Sequence, residues 1–333
     1  ENMSGKIVLS GARPTGDLHL GNYFGALHNW VKLQHEYDCY FFIADWHALT
    51  TGYADTETLQ ENTLSLMADF LAAGLDPDKA TIFLQSLVLE HAELYLLLGM
   101  NTPISWLERT PTYKEQQQQM TDRDLSTYGF LGYPALMAAD ILIYKADFVP
   151  VGEDQLPHLE ITREMARRFN HLYGKAVFPE PKALLTESKV LPGIDGRKMS
   201  KSYNNTITFA DSPAEVARKV MCMITDPARI RKDDPGHPEV CSVFAQHKVF
   251  SPDIVHEVEE QCRAGTIGCV ACKRKLQERL LAFHQPIHEK RTELLTQPDR
   301  LRELINAGSG KARAKARSVM TEVRQAVRIG IGD

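Results

Sequence analysis

No run of 18 or more apolar residues occurs anywhere in the 333-residue chain, which excludes a membrane-spanning helix of ordinary length. The opening stretch ENMSGKIVLSG lacks the apolar core of a secretory leader, so the expected location is cytoplasmic. There are no internal repeats, which sets aside solenoid and propeller architectures. The one low-complexity tract, Gln116 to Gln119, is too short to interpret. Cysteine is scarce: six residues do not make a disulfide scaffold in a chain of this size, and in a cytosolic protein disulfides are not expected. Charge of one sign is scarce too, since a net charge of −5 does not advertise nucleic acid. Residues 301–333 stand out against that balance, with seven Lys or Arg against three Asp or Glu, several within GKARAKARSVM. Such a segment suits either phosphate or a solvated helical face.

What is present is an ordinary supply of core. Hydrophobic residues make up 43% and charged residues 24%, the balance of a soluble globular protein. The length exceeds what one core usually fills, so roughly two domains are expected. Ile7 to Ser10 (IVLS) is a short apolar run ending at Gly11. After a loop of glycines and a proline, Phe24, Leu27, Trp30 and Val31 recur with helical period, and CYFFIAD, Cys39 to Asp45, is a second buried run. Strand, helix and strand with short connections make a right-handed βαβ unit of a parallel sheet. The pattern repeats: Asp55 or Thr56 caps a helix running to about Ala73, Gly74 ends it, and Thr81 to Ser86 (TIFLQS) is a third strand. Helical stretches dominate from about 87 to 144, DFVPVGEDQ reads as a strand delivering a polar loop, and ITREMARRFNHLYG is a helix stopped by Gly174. Beyond Ser212 nearly everything has helical periodicity. The expected fold class is α/β, a Rossmann-like parallel sheet with a helical insertion followed by an all-helical C-terminal domain. The expected first domain is 1–207, with the insertion at about 87–144, and the second is 208–333. The proline-, glycine- and lysine-rich stretch Pro179 to Asn205 marks the boundary.

Two loops carry the chemistry. In an open parallel sheet, ligands sit at the carboxyl ends of the strands, where helix N-termini offer unpaired N–H groups and partial positive charge. GARPTGDLHLGN has that placement: Gly16 and Gly21 let backbone approach a nucleotide, while His19 and Asn22 supply donors toward triphosphate oxygens. GIDGRKMSKSYNN, Gly193 to Asn205, sets Lys198 and Lys201 among glycines and serines with no apolar stripe to bury. Two point charges on such a loop suit a phosphate that is gripped during reaction and then released. HLGN followed about 180 residues later by KMSKS resembles the class I aminoacyl-tRNA synthetases, in which those motifs bind ATP. Within that class the chain is similar to the tryptophanyl-tRNA synthetases of bacterial type. GARPTG, HLGN, DWHALT, YPALMAADILIY, VPVGEDQ, RRFN and KMSKS occur in order over essentially its whole length.

The resemblance implies that L-tryptophan is activated by ATP with Mg²⁺ to tryptophanyl-adenylate and pyrophosphate, then transferred to tRNA(Trp). It implies a homodimer whose interface lies in the helical insertion, and C-terminal helices that bind the anticodon. By the same match Arg13, Pro14, Thr15, His19, Gly21, Asn22, Gly152, Glu153, Asp154, Val190, Lys198, Met199, Ser200, Lys201 and Ser202 contact ATP, with His19, Lys198 and Lys201 catalytic. His47, Tyr133, Met137, Asp140 and Gln155 hold tryptophan, Asp140 accepting the indole N–H and Tyr133 with Gln155 holding the ammonium. Tyr133, Met137 and Asp140 fall at i, i+4 and i+7, so they share one face of an otherwise apolar helix. A carboxylate there costs several kcal/mol unless paired, and a ligand N–H, a backbone group or an arginine would each offset that. A lone acceptor does not separate indole from phenol, so tyrosyl-tRNA synthetase is the rival reading, and a non-catalytic RNA-binding relative the third. Two positions depart from the family pattern: Arg13 stands where many bacterial relatives carry glutamine, and Gln116, after Lys114, where they carry a second lysine.

Four of the six cysteines form C-x20-C-x6-C-x2-C, namely Cys241, Cys262, Cys269 and Cys272, while Cys39 and Cys222 read as core residues. Four thiolates suit a [4Fe–4S] cluster or structural zinc, and spacing leaves the two level. Some tryptophanyl synthetases with a similar motif hold the cluster, which the resemblance therefore favours. Lys273, Arg274 and Lys275 follow directly, as a positive patch for tRNA or a solvated first turn. AGSGKA around Lys311 resembles a phosphate loop, but Ile305 stands where the first glycine belongs and Ala312 follows the lysine, so it reads as a helix boundary. His284 and His288, with Pro286 between them, read as surface residues rather than metal ligands.

Overall fold

The computed structural model describes residues 5–110, 113, 124–185 and 190–331. Lys114 and Gln116 lie outside these described residues. Five strands form one parallel sheet in the order β3–β2–β1–β4–β5: β1 Ile7–Ala12, β2 Asp38–Ile43, β3 Ala80–Leu84, β4 Phe148–Val151 and β5 Lys182–Leu185. Val8, Leu9, Phe41, Phe42, Ile82 and Phe83 are all buried, as expected for a parallel sheet covered on both faces. The chain builds outward from β1 to β3, then returns to lay β4 on the other side of β1. The order of strands therefore reverses beside β1, and the carboxyl ends of β1 and β4 flank the position where open parallel sheets bind ligands. β5 lies within the stretch that the sequence marks as a domain boundary. Its residues Lys182 and Leu185 are exposed, so this short edge strand has no apolar alternation to betray it.

One continuous helix, α1, follows β1: an α-turn Leu20–Asn22, a π-turn Tyr23–Leu27 and an α-segment His28–Leu33. Helix α2 is Asp45–Gly52 and α3 is Leu59–Ala72. The N-cap of α3 is Thr58 rather than Asp55 or Thr56, because a turn intervenes in which Leu59 N–H donates to Thr56 O. Gly74 (φ +114°) ends α3 and Gly174 (φ +62°) ends the helix that follows β4, as the sequence predicts. The insertion contributes α4 Glu90–Asn101 and α5 Tyr133–Leu142, and α6 Leu156–Tyr173 follows β4. After β5 come α7 Pro213–Cys222, α8 Ser242–Phe250, α9 Val255–Arg263, α10 Cys269–Leu295 and α11 Pro298–Val327. The architecture is the expected Rossmann-like sheet with a helical C-terminal region. No helix among the described residues is long and apolar enough to cross a membrane.

Three sequence expectations change. Cys39 is buried on β2, but Cys222 is exposed at the end of α7. His284 is fully buried on α10, where its Nε2 donates to Thr208 O at 2.7 Å, and His288 Nδ1 donates to Phe209 O at 2.9 Å. AGSGKA is no boundary, for α11 runs straight through it. The small residues let this helix lie directly on the edge strand β3. Gly308 approaches so closely that a Cβ would sit 1.8 Å from Ile82 O, and Ser309 Oγ accepts from Leu84 N–H at 3.2 Å. Ala312, Ala316, Val319, Met320 and Val323 complete the buried stripe, and the helix covers a sheet edge that would otherwise be open. Part of the basic stretch is paired within the fold. Arg313 and Arg317 pair with Glu90, and Arg324 binds both oxygens of Glu93 on α4.

This packing predicts contrasting effects for two glycines of one helix. Gly308→Ala should cost about 3 kcal/mol, since backbone rather than a flexible side chain must give way. Gly310, whose Cβ would meet nothing within 4 Å, should tolerate alanine or gain up to ~1 kcal/mol of helix propensity. Urea unfolding of the two variants checks this, and equal effects would contradict the account of α11.

Candidate active site

The loop leaving β1 is tied down before it reaches His19. Leu18 N–H donates to Asp69 Oδ2 at 3.2 Å, and Asp69 is held by Arg291 of α10, whose Nε lies 2.7 Å from Oδ1. The same guanidinium reaches Asp17 Oδ1 at 2.8 Å and Ser65 Oγ at 2.7 Å. Leu20 N–H then donates to Ile207 O at 2.9 Å, and Phe209 N–H to Leu18 O at 3.2 Å. His19 is the N-cap of α1. Its ring Nδ1 accepts from Asn22 N–H at 3.1 Å, while Asn22 Oδ1 accepts from His19 N–H at 3.4 Å, a reciprocal cap. With Nδ1 used as an acceptor, the neutral ring carries its proton on Nε2. Burial, reinforced by Lys201 and Lys198, lowers the His19 pKa to about 4, so at neutral pH it is an uncharged N–H donor.

The lysine-bearing loop docks on this turn. Lys201 Nζ donates to Thr15 O at 3.0 Å. Met199 is buried against Gly21, where a Cβ would come within 3.4 Å of it and 3.0 Å of the His19 ring. Asn205, quoted in the sequence but given no role there, shapes the loop from within. Its Oδ1 accepts from Ser200 N–H at 2.8 Å, and its Nδ2 donates to Lys198 O at 3.1 Å and to Asp195 Oδ1 at 2.8 Å. Lys198, Lys201 and Ser202 stand exposed, Ser200 Oγ lies 2.9 Å from Ser202 Oγ, and Val190 is exposed just upstream. Pro14 is buried between exposed Arg13 and Thr15. On the far side of the switch point, β4 delivers Gly152 and the 3-10 turn Glu153–Gln155, in which Glu153 and Gln155 are exposed. Asp154 belongs to that turn by its backbone, and its side chain lies outside the described part.

Of the residues predicted to hold the amino acid, His47 and Asp140 meet at one buried carboxylate. Asp140 on α5 is 1% exposed. His47 Nε2, from α2, lies 2.7 Å from its Oδ2. Two residues missed in the sequence bond Oδ1: Gln85 Nε2 at 2.8 Å and His91 Nδ1 at 2.6 Å. Burial pushes the Asp140 pKa up, but the charge of His47 and the hydrogen bonds from His47 and His91 outweigh it, and the carboxyl sits below its usual range. Among the described residues this aspartate is satisfied by side-chain N–H groups rather than by backbone or arginine. Tyr133 and Met137 are half-buried on the same helix, and the Tyr133 ring packs 5.9 Å from His158, in the first turn of α6 just after Gln155.

The four cysteines occupy neighbouring ends of three helices. Cys241 precedes α8, Cys262 lies on α9, and Cys269 with Cys272 opens α10. All are half-buried thiols. Arg229 Nη1 is 4.0 Å from Cys262 Sγ and 3.9 Å from Cys269 Sγ. Burial and the other three thiols push Cys272 up to about 12, so the four sense one another's charge. Among the described residues, no three Cys, His, Asp or Glu side chains converge on a single ion.

The model of class I tRNA synthetases (W and Y) matches residues 3–285. A tryptophan–tRNA ligase from Thermotoga maritima is 52% identical, aligned over 97% of this chain and 99% of its own length. One from Aquifex aeolicus is 48% identical over 97% and 99%. The crystal structure of tryptophanyl-tRNA synthetase from Campylobacter jejuni complexed with ADP and tryptophan superposes with a TM-score of 0.88 at 37% identity, covering 97% of this chain and 100% of that one. Tyrosyl-tRNA synthetase from Archaeoglobus fulgidus shares the fold alone, with a TM-score of 0.66 at 21% identity over 86% and 90%. With two docked signature loops at the switch point of a parallel sheet and relatives matched nearly end to end, the chain belongs to the class I tRNA synthetases of the tryptophan and tyrosine family.

Proposed function

We propose that this protein is a tryptophan–tRNA ligase that activates L-tryptophan with ATP and transfers it to tRNA(Trp). The observation that carries the reading is the docking of the KMSKS loop on the HLGN turn after β1, with the enclosed Asp140 held by His47 and Gln85 from the segments that follow β2 and β3. The tryptophan carboxylate attacks the α-phosphate of ATP, pyrophosphate leaves with its Mg²⁺, and the acyl group then passes to the terminal ribose of the tRNA. No covalent enzyme intermediate is needed. Rate enhancement comes from aligning the reactants and from donors that meet charge growing on the phosphoryl oxygens. His19 supplies a neutral N–H and Lys198 and Lys201 supply cations, while residues 13–15, Gly21, Asn22, residues 152–154 and Val190 frame the nucleotide. Asp140 accepts the indole N–H, His47 and Met137 line the ring, and Tyr133 with Gln155 holds the ammonium.

The catalytic domain spans 1–207 and works in the cytoplasm as a homodimer joined through the insertion. Leu96, Met100, Ile104 and Tyr128, each more than half exposed, supply an apolar surface there that a second copy would cover. Helices of 208–333 read the tRNA anticodon. Within them that role falls to α7–α10, since α11 packs back on β3.

The four cysteines hold a [4Fe–4S] cluster rather than zinc. A zinc ion needs every sulfur about 2.3 Å from one point. A four-iron cluster offers a separate iron to each of four thiolates, and Cys241, Cys262 and Cys269 lie near enough to Cys272 to raise its pKa. Bound there, it would supply a structural tie between α8, α9 and the start of α10. An anaerobic preparation should absorb near 400 nm and carry about four irons per chain; a colourless protein with stoichiometric zinc overturns the assignment.

Single-turnover formation of tryptophanyl-adenylate tests the reaction itself, and its absence from the wild type overturns the reading. Lys201→Ala should slow this step by about 10²- to 10³-fold while leaving tryptophan affinity near normal; weakened tryptophan binding with normal turnover would contradict the role. The pH profile adds a check on His19. Because its pKa is lowered to about 4, the neutral donor persists from pH 8 down to about 5, so His19 contributes no acid limb in that range. A limb centred near 6.5, the ordinary histidine value, that disappears in His19→Asn would show the assigned protonation state to be wrong.

A further inference from the structure

The carboxylate beneath the amino-acid pocket is itself set in place by a buried chain of hydrogen bonds. An ionised carboxylate has about four acceptor positions. On Asp140, Gln85 and His91 both bond Oδ1, whereas among the described residues Oδ2 receives His47 alone. Oδ2 is therefore the oxygen with room for one more donor. Behind Oδ1, His91 is 0% exposed, and its Nε2 lies 2.6 Å from the hydroxyl of Tyr144, also 0% exposed, one turn after Asp140 on the chain. The protons can be placed from these contacts. A carboxylate only accepts, so His91 Nδ1 carries a proton. Burial and the nearby charge of Asp140 push the Tyr144 pKa well above its ordinary value, so Tyr144 keeps its proton, and its hydroxyl pairs with Nε2 at the far end of the ring. Tyr144 thus holds the His91 ring in orientation, in the way an outer partner fixes a ligating histidine.

We propose that His91, oriented by Tyr144, is a positioning residue that holds Asp140 as an acceptor with Oδ2 turned to the pocket, and so sets the preference for a substrate ring bearing an N–H. This rests on the reading that Asp140 receives the indole N–H. Without His91 the buried carboxylate loses a charge-assisted bond and is free to rotate or take up a proton. It then serves as a poorer acceptor, and the advantage of an N–H ring over an isosteric ring without one shrinks.

The test compares tryptophan with 3-(benzothiophen-3-yl)alanine, in which sulfur replaces the ring N–H, by ATP–pyrophosphate exchange. The readout is the ratio of the two kcat/KM values in wild type, Tyr144→Phe, His91→Leu and Asp140→Ala. Tyr144→Phe should lower the ratio about 3- to 10-fold, chiefly through the KM for tryptophan with kcat nearly unchanged, and His91→Leu about 10- to 100-fold. A merely structural role would cost both substrates equally and leave the ratio intact, which overturns the proposal. Tyr144→Phe removes one hydroxyl and decides the matter if His91→Leu does not fold. The Asp140→Ala control separates the two levels. If it leaves the ratio at the wild-type value, the reading of Asp140 itself falls. If it collapses the ratio while Tyr144→Phe and His91→Leu preserve it, only the positioning role falls.

Discussion

Two backbone hydrogen bonds, Leu20 N–H to Ile207 O and Phe209 N–H to Leu18 O, fasten the turn that follows the first strand to the chain just beyond the lysine-bearing loop. Everything else in the nucleotide site depends on that pairing, because it brings together segments that lie far apart in sequence and fixes their spacing before any ligand arrives. Helix α10 buttresses it from behind. His284 and His288 cover the carbonyls of Thr208 and Phe209, and Arg291 spans Asp69 and Asp17. Burial still lifts the Asp69 pKa to about 6, so the arginine does not fully offset the desolvation of its partner. Such a pair contributes geometry more than net stability, and removing one member would leave a buried charge at a cost of about 3–5 kcal/mol.

The two halves of the site use electrostatics in opposite ways. At the proposed phosphate end, Lys198 and Lys201 on an exposed loop lie near a histidine that is kept uncharged, so positive charge sits on the loop and a neutral donor on the helix cap. At the proposed amino-acid end a single anion, Asp140, is enclosed and held by three side-chain donors. The first arrangement suits charge that appears only during reaction; the second suits recognition of one fixed N–H.

Much of this was legible in the sequence. The first three strands, α1, the glycine stops at 74 and 174 and both loops follow from local periodicity and turn chemistry, which are properties of neighbouring residues. His47 and Asp140 were named, and they do meet. What the sequence hid depends on partners distant along the chain. Gln85 and His91 look like stray polar residues until α5 is folded over them. Gly308 and Ser309 look like a helix breaker until β3 lies beneath, and His284 looks like a surface residue until the segment at 207–209 reaches it. β5 escaped for the converse reason, since an exposed edge strand has no burial pattern to show.

The central claim is that the docked loops and the Asp140 pocket together activate one amino acid. ATP–pyrophosphate exchange measured with each of the twenty amino acids tests it most directly. Exchange with tryptophan, and at most a trace with tyrosine, is the predicted result; comparable exchange with tyrosine, or none with any amino acid, would contradict it.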